Sequence, residues 1–254
     1  MLTDNDNIAE VTEQFGEYLD ELSEKVILLR NREDPRRGLV VKPCDSSRYF
    51  PIGKWKAKQN IKLRFGKYYN SVGAFLTLTY DHEAYPRWVA WNRLRSDLKR
   101  FKHDVDMRYR RAGRKPPKYI RAVEEQELTG YPHVHFFYPG LNWLLDKDVI
   151  KNLWGVGRTR VEKAKSVNIG GYVCKYITKM GGWSDESLAF IWKAEMRLFT
   201  YSHCYTLPLE TTHPSEWQFL MATTREKIET HFDMIIQAIP DLKGLNDYLE
   251  ENKN

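Results

Sequence analysis

Apolar residues recur along the chain with two periods, and the changes from one to the other mark out its elements. Val11, Phe15, Leu19, Leu22, Val26 and Leu29 stand at helical spacing, which predicts one long amphipathic helix over 8–29. From 31 to 49 the pattern lapses around Pro35, Gly38 and Pro43, and a loop is expected. Ala74 to Tyr80 is an unbroken run of apolar residues and threonines, as in a strand covered on both faces. Pro86 then opens a helix whose stripe is Trp88, Trp91, Leu94, Leu98, Phe101 and Val105. A strand-type run ends at Val123 to Glu125, Thr129-Gly130-Tyr131-Pro132 reads as a turn, and His133 to Phe137 resumes as a second strand.

The second half continues the alternation of types. A short helix is expected over 144–154, stopped by Gly155 and Gly157, then a strand over 158–163 and a helix over 169–180 closed by Gly181-Gly182. Another helix follows over 188–196, a strand over 197–207, and a pair of helices from Thr211 to Glu251 broken near Pro240-Asp241. This mixed order permits an α+β fold, with helices packed on a central sheet. The organisation expected is an N-terminal extension of helix and loop (1–50), a catalytic domain (51–210) and a C-terminal helical extension (211–254).

Charge changes the picture because it is unevenly distributed. The net charge is +6, yet residues 1–30 hold eight acids and two bases and residues 226–254 hold seven acids and three bases, so the middle of the chain is the basic part. A polyanionic partner is expected there. Lys54 to Tyr69 contains six bases and no acid, and Lys54, Lys56, Lys58, Lys62 and Arg64 are interleaved with aromatics such as Trp55. Bases beside rings can hold phosphates while stacking unpaired nucleobases; the same stretch also reads as a solvated basic helix with its rings in the core. Arg108 to Lys118 again has six bases and no acid, including Arg110, Arg111, Arg114 and Lys115, in an expected loop that could lie along a nucleic-acid backbone. Arg197 completes the candidate DNA contacts.

Three scattered cysteines, Cys44, Cys174 and Cys204, contain no C-x-x-C pair, which argues against a zinc ribbon and a disulfide framework. No apolar run approaches the roughly 20 residues that a membrane span requires, and the N-terminus is acidic rather than signal-like, so an intracellular, cytoplasmic protein is expected.

Two segments carry candidate chemistry. His133 and His135 are two apart in a predicted strand, so their imidazoles leave the same face and can serve one ion. The hairpin brings Glu124, Glu125 or Glu127 alongside to add a carboxylate oxygen, a donor set suited to a divalent metal that must also touch substrate. In the helix over 169–180, Tyr172, Lys175, Tyr176 and Lys179 fall at i, i+3, i+4 and i+7 and share a face. A lysine beside a phenol favours its ionised form.

Phe75-Leu76-Thr77-Leu78-Thr79, Pro132-His133-Val134-His135 and Tyr172-Val173-Cys174-Lys175-Tyr176 occur in the order of three motifs of the HUH endonucleases. Over roughly 75–205 the chain resembles the rolling-circle replication initiator (Rep) proteins of prokaryotic plasmids and single-stranded DNA viruses, and its doubled tyrosine is similar to the two-tyrosine class. The resemblance implies a central antiparallel sheet of about five strands. It implies Mn²⁺ or Mg²⁺ held by His133, His135 and an acid, which the spacing Glu-x-x-x-x-Gly-x-Pro-His puts on Glu125, with Glu124 as runner-up. It also implies transesterification, in which Tyr172, and in a second transfer Tyr176, attacks single-stranded origin DNA to give a 5′-phosphotyrosine and a free 3′-OH primer. With no P-loop sequence in the chain, unwinding would come from a host helicase and the host replication machinery. An HUH transposase and a catalytically silent DNA-binding regulator of the same fold are the competing expectations.

Overall fold

The structure is a computed structural model that describes residues 8–34, 38–65, 72–164, 183–203, 217–224 and 226–227. In chain order these form α1 (Ile8–Glu24), β1 (Lys25–Asn31), β2 (Gly38–Val41), a 3₁₀ turn at Pro43–Ser46, α2 (Pro51–Phe65), β3 (Gly73–Tyr80), α3 (Arg87–Arg111), β4 (Ile120–Glu125) and β5 (Pro132–Pro139). They continue as α4 (Lys147–Trp154), β6 (Gly157–Ala164), α5 (Asp185–Lys193), β7 (Phe199–Tyr201) and β8 (Trp217–Thr224). The chain divides into two compact units, one of Met1–Phe15 with Lys54–Thr206 and one of Gly16–Gly53 with Leu207–Asn254.

The larger unit is α+β, as expected. Its sheet has five strands in the order β6-β3-β5-β4-β7, and every pairing is antiparallel. β3 has neighbours on both sides, which is why its sequence is a continuous apolar run. One sheet face is closed by helices. Ala74, Leu76, Leu78 and Tyr80 of β3 and Val134, Phe136 and Tyr138 of β5 point into a core with Trp91, Leu94, Leu98, Phe101 and Val105 of α3. Trp154 of α4 and Phe190 and Ile191 of α5 join them.

Polar side chains fix the ends of these helices. The Trp91 indole donates to the Gly130 carbonyl at 2.9 Å, which ties α3 to the β4–β5 turn. Arg100 donates to the carbonyls of Leu153 and Trp154, satisfying groups left open at the end of α4. Two glycines are required by geometry. Gly130 takes φ +69 in the hairpin turn, and a Cβ on Gly157 would sit 2.1 Å from the Thr79 carbonyl at the start of β6.

Several boundaries differ from the sequence reading. α3 runs on to Arg111, so Arg110 and Arg111 belong to a last helical turn rather than a loop; bases there are favoured by the helix dipole. α5 spans 185–193 instead of 188–196, because Ser184 accepts a hydrogen bond from the Ser187 amide and starts the helix early.

The smaller unit departs further. Helix α1 stops at Glu24, and Lys25–Asn31 is a strand with Val26 and Leu28 buried, not the end of a helix over 8–29. The expected loop over 31–49 contains β2 and the 3₁₀ turn, and the expected C-terminal helix pair contains β8. These strands form a three-stranded antiparallel sheet, β2-β1-β8. Val26 and Leu29 fit a helical stripe, but the partner that makes β1 a strand, β8, lies far along the chain and leaves no local signal.

Candidate metal centre

Register in the β4–β5 hairpin decides which side chains meet. Glu124 lies opposite His133 and Ala122 opposite His135, while Glu125 lies opposite Pro132. Directly opposed residues share a face, so Glu124, His133 and His135 emerge together and Glu125 emerges on the other side. The turn bonds that set this register run from the Gln126 amide to the Tyr131 carbonyl and from the Gly130 amide to the Gln126 carbonyl, each 2.8 Å.

Glu124, His133 and His135 offer one carboxylate oxygen and two ring nitrogens that all lie within 4.8 Å of one another, and together they could hold a metal ion. His135 Nε2 is 2.8 Å from Glu124 Oε1, and His133 Nδ1 is 3.7 Å from the same oxygen. The two imidazole centroids are 5.1 Å apart. His135 is buried, stacks on Phe75 and meets the Thr77 hydroxyl through Nδ1 at 3.2 Å. That contact leaves Nε2 as the nitrogen facing the acid, the orienting role usually played by an outer partner of a metal-bound histidine. Borderline nitrogens with one hard oxygen fit a divalent first-row metal or Mg²⁺.

Glu125, first choice for the acidic ligand from sequence, is elsewhere. Its Oε2 accepts from the Ser184 amide, and its Oε1 accepts from the hydroxyls of Ser184 and Ser187, all at 2.8 Å. A one-residue step in a strand reverses the face, and the motif spacing could not show which parity the turn imposes. Glu127 is exposed in the turn. The Glu125 cluster is closed by an ion pair between Arg87 and Glu186.

The remaining expected residues are scattered. Tyr172, Lys175, Tyr176 and Lys179 lie outside the described residues. Lys54, Trp55 and Lys56 stand in α2, where Trp55 is 60% exposed and so is not part of a core. Lys58, Lys62 and Arg64 share that helix backbone, with side chains outside the described residues. Arg110, Arg111, Arg114 and Lys115 are exposed, but they precede β4 at the end of the sheet remote from Glu124, and the fold does not bring them to the histidines. Arg197 is exposed just before β7.

Sequence reasoning missed a row of side chains that extends the centre. Thr79 lies opposite His133 on one side and opposite Arg158 on the other, and Thr77 likewise joins His135 to Arg160. Beside His133 a cavity of about 320 Å³ is lined in part by Thr79, Asp81, Gln126 and Arg158. The alternation Thr77, Thr79 and Arg158, Arg160 was visible, but which strands lie side by side was not.

Among the described residues no helix is long and apolar enough to cross a membrane. No curated protein and no solved structure matches the chain. The family model for Replication-associated protein ORF2 does match, over residues 73–181, a little under half of the chain and the stretch that contains β3, β4, β5 and all three clustered ligands. That match supports a replication-associated initiator, for which DNA is a partner.

Proposed function

We propose that the chain is a metal-dependent nicking and joining enzyme that starts rolling-circle replication on single-stranded origin DNA. The observation that carries the proposal is the clustering of Glu124, His133 and His135 within the stretch matched by the replication-associated family. Mn²⁺ or Mg²⁺ held by these three side chains would polarise an oxygen of the scissile phosphate.

The other half of the chemistry falls to the tyrosine and lysine segment. Ala164, which pairs with Gly73 at the far end of β3, precedes it, and Trp183 and Ser184 follow it. Ser184 is bonded to Glu125, the residue next to Glu124, so the segment rejoins the described chain at the metal end of the sheet. Tyr172 is the first nucleophile. Its phenol oxygen bonds to phosphorus as the bond from phosphorus to the 3′-oxygen breaks, and the phenol proton ends on that oxygen, leaving a 5′-phosphotyrosine and a free 3′-OH. A phenol with an ordinary pKa of about 10 is a weak nucleophile at neutral pH, and the Lys175 and Lys179 ammonium groups favour its ionised form. Tyr176, one helical turn on, takes a second transfer, and the ester conserves bond energy for rejoining.

The test is incubation of the full chain with Mn²⁺ and labelled origin-like oligonucleotides, read on a denaturing gel. Cut product with a protein adduct is expected, and Tyr172→Phe removes the adduct of the first cleavage. A native-gel shift with no cut product would contradict the proposal and leave a DNA-binding protein.

A further inference from the structure

The centre continues across four strands as Glu124, His133, Thr79 and Arg158, each opposite the next. Neighbouring strands lie about 4.8 Å apart, so the Arg158 backbone is roughly 10 Å from that of His133, and its side chain can reach a nucleotide that follows a phosphate held at the histidines. The cavity of about 320 Å³ opens between them. Its size is at the small end of ligand sites, about 300–1,000 Å³, suited to one unpaired base and not to a duplex.

Its walls are polar and their directions are set. Thr129 donates its hydroxyl to Gln126 Oε1 at 3.0 Å, which turns the Gln126 amide NH₂ outward as a donor. Arg158 is exposed at the other wall and brings guanidinium donors. Asp81 and Glu83 supply carboxylates, and Asp81 is held in place by accepting from the Glu83 amide at 3.1 Å. His82 at the rim is stacked on Tyr131 with centroids 4.0 Å apart, a firm two-ring platform. Donors on one side and carboxylates on the other match a base that presents acceptors on one edge and N–H groups on another. Guanine does so: O6 and N7 accept, typically from arginine or another donor, while N1–H and the 2-amino group donate to a carboxylate.

We infer that this cavity binds a guanine adjoining the phosphate held at the metal centre, with Gln126 and Arg158 as the residues that set sequence preference at that position. The inference rests on the reading above that single-stranded DNA is the substrate, and it adds what that reading leaves open, which base the site requires.

The experiment uses the full chain with Mn²⁺ and a pool of single-stranded oligonucleotides of randomised sequence. Bound and covalently attached molecules are recovered together and sequenced, so the readout does not depend on cleavage. The wild type is expected to favour guanine at one position by about tenfold. Gln126→Ala and Arg158→Ala are each expected to reduce that preference to below about threefold while leaving Mn²⁺ affinity unchanged. Arg158 is exposed on an edge strand, so its variant keeps the test open if Gln126→Ala disturbs the hairpin. The same preferences in wild type and both variants, no preference at all, or preference for another base would overturn the inference. Guanine preference without any covalent product would instead remove the nicking reading and leave the base pocket standing.

Discussion

Val134 and His135 are neighbours in β5 and face opposite sides of one sheet. Val134 packs into the core beneath α3, and His135 turns toward Glu124 and Thr77. Glu124 and Glu125 repeat the contrast in β4: one carboxylate meets two imidazoles, and the other ties down the start of α5 through two serines. Strand alternation thus lets adjacent residues serve unlike purposes. The helix-covered face supplies rigidity, and the other face holds reactive groups at fixed spacings without requiring them to pack. The contrast is sharpest at the Glu124 end. Further along the same face Phe75, Ile120 and Phe137 are buried, so polarity is concentrated where the histidines stand.

If the faces are separable, mutations should sort by face. The largest effect is expected from Leu98→Ala in the core, where Leu98 is 1% exposed: a loss of about 2–5 kcal/mol in denaturant unfolding, with Mn²⁺ affinity of the folded protein unchanged. A parallel fall in affinity would mean that packing and metal binding are coupled through the strands. Next, His135→Ala should weaken Mn²⁺ binding by about 100-fold or more, measured by electron paramagnetic resonance titration, and Thr77→Val by about tenfold, since it removes only the orienting hydroxyl.

The smallest effect concerns alkali. Tyr80 donates to the buried Asp97 at 2.9 Å, and burial with that carboxylate raises the phenol pKa well above its ordinary 10.0. A group whose folded pKa is raised contributes stability below its unfolded pKa and loses it as pH climbs beyond, so stability should decline above pH 10.0. Tyr138, fully buried, acts in the same direction. Tyr80→Phe should make the decline shallower at a cost of about 1–3 kcal/mol near neutrality, read from unfolding curves at several pH values. An equally steep decline would place the alkaline sensitivity elsewhere.

Local pattern carried most of the larger unit. The run over 74–80, the stripe of α3 and the paired histidines each encode their surroundings within a few residues, and the structure has the α+β sheet and the helix they imply. Long-range pairing was not legible. β1 looks helical until β8 is beside it, and the acid that joins His133 and His135 depends on turn parity that no local spacing reveals. Arg158 and Gln126 escaped notice for the same reason, since nothing near either in sequence says that both border His133.

The most direct test of the central claim is a Mn²⁺ titration of Glu124→Gln and Glu125→Gln followed by electron paramagnetic resonance. The account predicts that Glu124→Gln loses most of its affinity, by about 100-fold, while Glu125→Gln binds as the wild type does and is merely less stable. Wild-type affinity in Glu124→Gln, or loss in Glu125→Gln alone, would contradict it.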